Sequence, residues 1–275
     1  MPYATAPDQA RIHYDVRGSG EPLLLLAGQA NAHNWWDGVR PALDAEFRTI
    51  AADHLGTGAS DAPHAAEYST RRFAADAVAV LDDLGVERAH VYGTSMGGKI
   101  AQWIAADHPE RVGALVLGCT SPGGPNAVNA SSAIARALGS PDREAARRTL
   151  IGLMFTPEWT RHDPGPYRVL GDASMEPHAR RAHLAASRAH DAWDALPSIT
   201  APTLVLHGTD DAFAPAANAH LIADRIPDAR LHLLEGARHA YFEERAEEAT
   251  KAVMDHLRSH RLHMAAQSAP LGRGT

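Results

Sequence analysis

Residues 89–98 read AHVYGTSMGG, and this stretch decides the fold. Residues 89–92 have the composition of a buried strand, GTSMG occupies residues 93–97, and Ile100 and Ile104 mark one apolar face of a following helix. The G-x-S-x-G spacing is typical of a sharp turn between strand and helix, because its serine takes a strained backbone and needs small neighbours. The pattern therefore predicts that Ser95 stands above a strand end, beside the positive end of a helix dipole that would stabilise an oxyanion.

Outward from this turn, apolar runs alternate with helical patterns, which predicts a mostly parallel sheet flanked by helices. The predicted strands are residues 22–27, 47–52, 89–92, 112–118, 203–207 and 230–234. Residues 11–16 alternate between polar and apolar side chains, which predicts a half-exposed antiparallel edge strand. Helical spacing of apolar residues over 73–84 predicts a helix there, and a last helix is predicted over 245–260.

A cluster of helix breakers, SPGGP at residues 121–125, opens a stretch of different character. From there to about Pro197 the sequence is helical without a convincing strand. We therefore predict a helical cap at residues 122–197, inserted into a core formed by residues 1–121 and 198–264. The final residues, 265–275, are rich in Gly, Pro, Ser and Gln, and we expect this tail to be disordered.

The composition excludes several classes of protein. The chain has 275 residues, with 26 lysines and arginines against 33 aspartates and glutamates, a formal net charge of −7 at pH 7. An apolar fraction of 45% excludes fibrous, collagen-like and disordered proteins, and a chain of this length can bury a full core. Because no cluster of basic residues offers the counterion release that phosphate binding requires, we expect no nucleic acid partner.

The cysteine count and the N-terminus bear on the cellular compartment. Cys119 is the single cysteine, which excludes an intrachain disulfide and a multi-cysteine metal cluster, and we predict no metal site. The first residues, MPYATAPD, lack the basic start and apolar run of a signal peptide. The longest strongly apolar stretch, residues 23–27, is far shorter than the roughly 20 residues that cross a bilayer. We therefore expect a cytoplasmic protein with no membrane partner.

A serine hydroxyl is a poor nucleophile until a base removes its proton, so Ser95 requires a histidine and an acid. Asp210 and Asp211 follow the predicted strand 203–207, and His239 follows the strand 230–234. The order Ser, Asp, His is that of hydrolases with this nucleophile turn, and both partners come just after strand ends. Only one of the two adjacent acids can point at the imidazole, and the spacing G-x-x-D-x-x-x-P favours Asp211.

With these loops included, the sequence resembles the α/β-hydrolase family, and within it the carboxylesterases and enol-lactonases. The resemblance covers nearly the whole chain before the tail. It rests on LLLLAG at residues 23–28 ahead of Trp35, DHLGTGAS at 53–60, VYGTSMGG at 91–98, HPERV at 108–112, LGCTSPGG at 117–124 and the two downstream loops. It implies an α/β-hydrolase fold, mostly parallel, with an inserted helical cap.

The resemblance also implies roles for individual residues. Ser95 would be the nucleophile, Asp211 the acid and His239 the base. The backbone N–H groups of Gln29 and Met96 would form the oxyanion hole. The implied reaction is hydrolysis of a small-molecule carboxylic ester or lactone through an acyl-enzyme, with no metal or organic cofactor.

Two positions depart from the family pattern. The family usually has a histidine before the first glycine of the oxyanion loop, whereas Ala27 precedes Gly28 here. The arginine common in the DHLGTG loop is replaced by Leu55. The oxyanion loop must therefore be held in a different way.

Five apolar residues are candidates for the substrate pocket. Trp35 and Trp36 follow the proposed oxyanion loop, and Met154, Phe155 and Trp159 lie in the inserted stretch. If they line the site, a small, neutral, apolar ester or lactone is the expected substrate. The alternative, that they pack the core of the cap, stays open at this point.

Other functions compete with ester hydrolysis. The same scaffold and triad serve C–C hydrolases, perhydrolases, decarboxylases and cyclases, because a fold does not fix the substrate. A non-catalytic binding protein is disfavoured by the complete triad. Residues 93–99 also match the first seven positions of G-x-x-x-x-G-K-S/T, the phosphate-binding pattern of nucleotide-hydrolysing enzymes, through Gly93, Gly98 and Lys99. The eighth residue, Ile100, lacks the hydroxyl that Mg²⁺ requires. The sequence leaves the oligomeric state open.

Overall fold

The computed structural model describes residues 2–65 and 67–262. Within these residues the strands are β1 (Tyr3–Thr5), β2 (Arg11–Arg17), β3 (Glu21–Leu26), β4 (Phe47–Ala52), β5 (Ala89–Thr94), β6 (Val112–Gly118), β7 (Thr203–Gly208) and β8 (Ala229–Leu234). The α-helices are α1 (Arg40–Asp44), α2 (Thr70–Asp83), α3 (Met96–Asp107), α4 (Ser132–Leu138), α5 (Arg143–Met154), α6 (Pro157–His162), α7 (Pro177–Ala189), α8 (Ala217–Arg225), α9 (Tyr241–Glu244) and α10 (Ala246–Arg258).

All of these strands form one sheet in the order β1-β2-β4-β3-β5-β6-β7-β8. The pairs from β4 through β8 are parallel, whereas β1 and β2 are antiparallel to their neighbours at one edge. The predicted alternating segment is β2, which is antiparallel as expected, but it is not the edge strand, because β1 pairs with its outer side. The three-residue strand β1 was not predicted, because so short a segment carries no readable periodicity.

Helices cover both faces of the sheet. Successive side chains of β3 alternate between the two cores: Leu24 and Leu26 lie in one apolar cluster, and Leu23 and Leu25 in the other. Helices α2, α3 and α8 supply the first cluster, and α1 and α10 the second. The predicted α/β class, a mostly parallel sheet flanked by helices, is therefore confirmed.

The segment between β6 and β7 carries α4 to α7. An antiparallel bridge between Gly123 and Asp191 joins the two ends of this segment. Helix α4 has no buried residue, and α5 buries only Leu153 and Met154. This is the segment that the sequence predicts as a cap, and its helices α4 and α5 bury far less than the strands of the sheet.

Two expectations concern other parts of the chain. The predicted disordered tail, residues 265–275, lies outside the described residues. Among the helices that the structure describes, none is both long enough and apolar enough to span a membrane.

Candidate active site

The turn after β5 has the geometry that the G-x-S-x-G spacing predicts. Ser95 has φ of 55° and ψ of −120°, a left-handed conformation that is costly for a residue with a side chain. A Cβ atom on Gly93 would collide with the carbonyl oxygen of Gly97, and one on Gly97 would collide with that of Leu26. The two glycines therefore allow α3 to start directly above the sheet, with Ser95 at its N-terminus.

A continuous chain of hydrogen bonds connects three loops at the same edge of the sheet. Ser95 Oγ lies 3.0 Å from His239 Nε2, and His239 Nδ1 lies 2.7 Å from Asp211 Oδ2. In this arrangement the hydroxyl donates to Nε2 and the Nδ1–H donates to the carboxylate. The structure thus brings together all three residues expected from the sequence, although Asp211 and His239 follow different strands.

Asp211 is held as a carboxylate by its surroundings. Its Oδ1 accepts the backbone N–H groups of Phe213 at 2.9 Å and Ala214 at 2.8 Å, and His207 Nε2 lies 3.3 Å from Oδ2. Burial alone would raise the pKa of Asp211, but the charge of His239 and the hydrogen bonds of His207 and His239 outweigh it and hold that pKa well below its usual range. Asp210 is exposed, so the structure favours Asp211 of the adjacent pair.

Two backbone N–H groups are the expected oxyanion donors. Met96 is the first residue of α3 and almost fully buried, and Gln29 lies in the loop after β3 and lines the same cavity. Among the described residues, no backbone carbonyl accepts a hydrogen bond from either N–H group. Free donors at a helix N-terminus suit a developing oxyanion.

The loop that carries Gln29 is fastened by two histidines that sequence reasoning did not single out. His54 Nε2 lies 3.0 Å from the carbonyl oxygen of Ala27, the position where the family has its own histidine. His183 of α7 lies between the loop and the core: its Nδ1 is 3.4 Å from Ala30 N, and its Nε2 is 2.7 Å from Leu55 O. Burial lowers the pKa of both imidazoles, that of His183 to about 4, so both are neutral at pH 7. His54 and His183 therefore hold the oxyanion loop in place of the histidine that the family has at the position of Ala27.

A cavity of about 820 Å³ opens between the sheet edge and the cap, with Ser95 and His239 in its lining. This volume suits a small organic molecule. Of the five predicted pocket residues, Trp35 and Met154 line the cavity.

The structure does not bring the other three predicted pocket residues to this cavity. Trp36 and Phe155 are fully buried in the second apolar cluster, where Trp36 packs against Tyr92 at 4.8 Å between ring centroids. Trp159 stacks on Phe155 at 6.2 Å. These side chains stabilise the junction of cap and core, because large aromatic residues gain most from full burial.

The cavity also contains cations that the sequence analysis did not assign to it. Lys99, Arg180 and Arg188 line it, and Lys99 Nζ donates to the carbonyl oxygen of Ser187 at 2.8 Å. In the phosphate-loop pattern the lysine amine would contact a nucleotide phosphate. In this structure the Lys99 amine instead connects α3 to α7 through Ser187. Lys99 follows Ser95 by four residues, and residues at this spacing share one helix face. This spacing could have indicated from the sequence that Lys99 lines the same cavity as Ser95.

One further cluster has the composition of a metal site. His13, His33 and Asp53 have ligand atoms within 4.8 Å of one another. Asp53 accepts hydrogen bonds from His13 Nδ1 at 2.7 Å and His33 Nδ1 at 2.8 Å, and it also accepts the backbone N–H groups of His33 and Ala59. The hydrogen bond to Asp53 raises the pKa of His33. These bonds satisfy the carboxylate without an ion and fasten the loop after β4 to β2.

Comparison with known proteins agrees with this geometry. The family model of the alpha/beta hydrolase fold matches residues 21–246. RutD of Variovorax paradoxus, named as a candidate carbamate hydrolase, is 33% identical over 261 residues, covering 90% of this chain and 96% of its own. The 2-hydroxy-6-oxo-6-phenylhexa-2,4-dienoate hydrolase of Comamonas testosteroni is 29% identical over 262 residues, covering 90% and 91%.

A solved structure with the same architecture is the enol-lactonase of Burkholderia xenovorans. It superposes with a TM-score of 0.79 at 26% sequence identity, covering 94% of this chain and 100% of that one. The chain belongs to the α/β-hydrolase family.

Proposed function

We propose that this hydrolase cleaves a small carboxylic ester or lactone through a covalent acyl-enzyme. The observation that carries the proposal is the relay from Ser95 Oγ through His239 to Asp211, with distances of 3.0 and 2.7 Å, at the wall of the cavity between the sheet edge and the cap. These distances are within the range for proton transfer between a nucleophile and its base.

Acylation follows from this geometry. His239 Nε2 takes the proton of Ser95 as Oγ attacks the substrate carbonyl carbon, and the carbonyl oxygen becomes an oxyanion. The N–H groups of Met96 and Gln29 stabilise that charge, and Asp211 stabilises the imidazolium. The protonated imidazole then gives its proton to the leaving alkoxide as the carbon–oxygen bond breaks, which leaves an ester on Ser95.

Deacylation repeats these steps with water. His239 removes a proton from water as its oxygen attacks the acyl carbon, and the same two N–H groups hold the second oxyanion. Collapse of this intermediate returns the proton to Ser95 Oγ and releases the carboxylic acid. Every proton transfer in the cycle uses residues of the relay, so the mechanism requires no cofactor.

Hydrolysis of a C–C bond is a second candidate, favoured by the similarity to the Comamonas hydrolase. There the leaving group would be a carbanion that is protonated at carbon. Carbamate cleavage, suggested by the name of the Variovorax relative, would use the same acyl chemistry.

Two measurements test the proposed function. A fluorophosphonate should label the wild-type protein once, and peptide mass spectrometry should locate the adduct on Ser95. A panel of esters, lactones, carbamates and vinylogous 1,5-diketones should then show turnover that is highest with esters or lactones. Ester hydrolysis by a protein that the reagent leaves unlabelled, or turnover of the diketones alone, would overturn the proposal.

A further inference from the structure

The cavity differs in charge from the protein as a whole. Although the chain carries a formal net charge of −7, no aspartate or glutamate is among the described residues that line the cavity. Three cations do line it, namely Lys99, Arg180 and Arg188. The space beside Ser95 is therefore positive in an acidic protein.

Lys99 is the innermost of these cations. It lies one helical turn beyond Ser95 on α3, and its side chain is mostly buried between α3 and α7. Its ammonium donates to the carbonyl oxygen of Ser187 at 2.8 Å and to the hydroxyl at 3.2 Å. Both acceptors are uncharged, so two of its three N–H groups are used and the charge is not neutralised.

An ammonium in this position costs free energy unless an anion balances it. Burial lowers the pKa of Lys99 to about 8, so the group is still mostly charged at pH 7. An anionic group of a bound ligand would accept its third N–H and supply the missing charge.

Helix α7 presents two more cations to the same space. Arg180, Leu184, Ser187 and Arg188 line the cavity and follow helical spacing, so they form one stripe along α7. Arg188 comes directly after the residue that Lys99 contacts, and Arg180 donates to the backbone oxygen of Asp172 at 2.6 Å. The neighbouring face of the helix, with Ala179, His183 and Ala186, is buried. Both arginines are exposed, whereas Lys99 is mostly buried, so the cations of this stripe extend from the protein surface towards Lys99.

From this arrangement we infer that Lys99, with Arg188 and Arg180, forms a subsite for a carboxylate carried by the substrate, next to the scissile ester or lactone. A carboxylate has two oxygens, so it can accept from the ammonium and from an arginine together. The inference rests on the proposed function and deepens it. It replaces the expectation of a neutral substrate, which depended on five apolar residues of which only Trp35 and Met154 reach the cavity.

The first test compares esters that differ only in charge. 4-Nitrophenyl pentanoate and the mono-4-nitrophenyl ester of glutaric acid have the same number of acyl carbons, and a second pair carries the carboxylate on the alcohol side. We expect kcat/KM of the wild-type enzyme to favour the anionic member of one pair at least tenfold. Lys99→Met should lower that ratio about 10- to 100-fold, mainly through KM, as for the loss of one charge-assisted hydrogen bond.

Arg188→Gln provides a second variant that does not disturb a buried position, and it should lower the same ratio about threefold. Arg181→Gln is the matched control, because Arg181 is exposed on α7 but is not part of the cavity lining. It should leave both substrates unchanged. If Lys99 only tethers the cap, Lys99→Met will lower Tm and reduce turnover of both esters equally, and this result would overturn the inference.

A binding measurement separates failure of the subsite from failure of the proposed function. Monomethyl glutarate should bind the Ser95→Ala protein in calorimetry, and addition of Lys99→Met should weaken that binding at least tenfold. Absence of ester turnover together with this binding would refute ester hydrolysis and keep the anion subsite. Equal binding with and without Lys99, or tighter binding of inorganic phosphate than of the carboxylate, would overturn the inference.

Discussion

The sheet edge that carries Ser95 and the cap meet at one cavity, but they are stabilised in different ways. Ser95, Asp211 and His239 each follow a strand of one continuous sheet, and the latter two are at most 3% exposed. Helix α4, by contrast, has no buried residue. The position of the triad is therefore fixed by the sheet and a packed core, whereas the outer part of the cap, with α4, is supported by much less buried surface.

Because of this difference, we expect the strand ends to determine the rate of the reaction and the cap to determine which substrates are preferred. Residues at the strand ends hold the reacting groups within hydrogen-bond distance, so substitutions there should change kcat by orders of magnitude. Under the proposed function, residues of the cap would contact the remainder of the substrate, so their substitution should change KM and the ranking of substrates. The following predictions either sharpen this division or contradict it.

The largest effect is expected at the nucleophile. Ser95→Ala removes the atom that forms the acyl-enzyme and should lower kcat by about 10⁶ with little change in Tm. Ser259→Ala, on an exposed hydroxyl after α10, should leave kcat unchanged. Steady-state kinetics with the best ester of the panel provide the measurement, and a loss of less than tenfold for Ser95→Ala would assign the chemistry to another group.

The two adjacent acids should differ strongly. Asp211→Asn removes the charge that orients and stabilises His239, and kcat should fall by about 10⁴. Asp210→Asn changes an exposed residue and should cost less than threefold. The reverse ranking in kcat/KM would move the triad to the neighbouring residue.

Stability should respond to the sheet far more than to the cap. Leu24→Ala leaves a cavity beneath fully buried neighbours and should lower the free energy of unfolding by about 2–5 kcal/mol. Leu138→Ala, on the half-buried side of α4, should cost less than about 1 kcal/mol. Urea unfolding of both variants gives the comparison, and equal costs would mean that the cap is an integral part of the core.

The smallest of the four effects should come from the oxyanion loop, which both regions hold. His54→Ala removes its support from the core and His183→Ala its support from the cap, and each should lower kcat about tenfold while KM changes less. Loss of a whole oxyanion donor costs about 10²–10³, so displacement of the loop should cost less. His220→Ala, exposed on α8, is the control. An unchanged kcat in both loop variants would show that the loop keeps its shape without them.

Some features of this protein could be predicted from the sequence because they depend on only a few consecutive residues. The nucleophile turn needs Gly93 and Gly97 beside Ser95, and that steric requirement is visible as a spacing. The parallel strands are visible as short apolar runs, and the acid and base as residues just after two of those runs. The predicted choice of Asp211 over Asp210 likewise followed from local spacing.

The tertiary structure alone decided the rest, because the relevant contacts join segments that are distant along the chain. Lys99 and Ser187 are separated by 88 positions and meet only when the cap folds over α3. His183 is 153 positions from Ala30, the residue of the oxyanion loop that it contacts. Whether an aromatic residue lines a cavity or fills a core depends on the neighbours that packing supplies, as Trp35 and Trp36 show. Local periodicity carries no information on such neighbours, so the sequence by itself indicated the chemistry, and only the folded cap defined the charge and shape of the cavity beside Ser95.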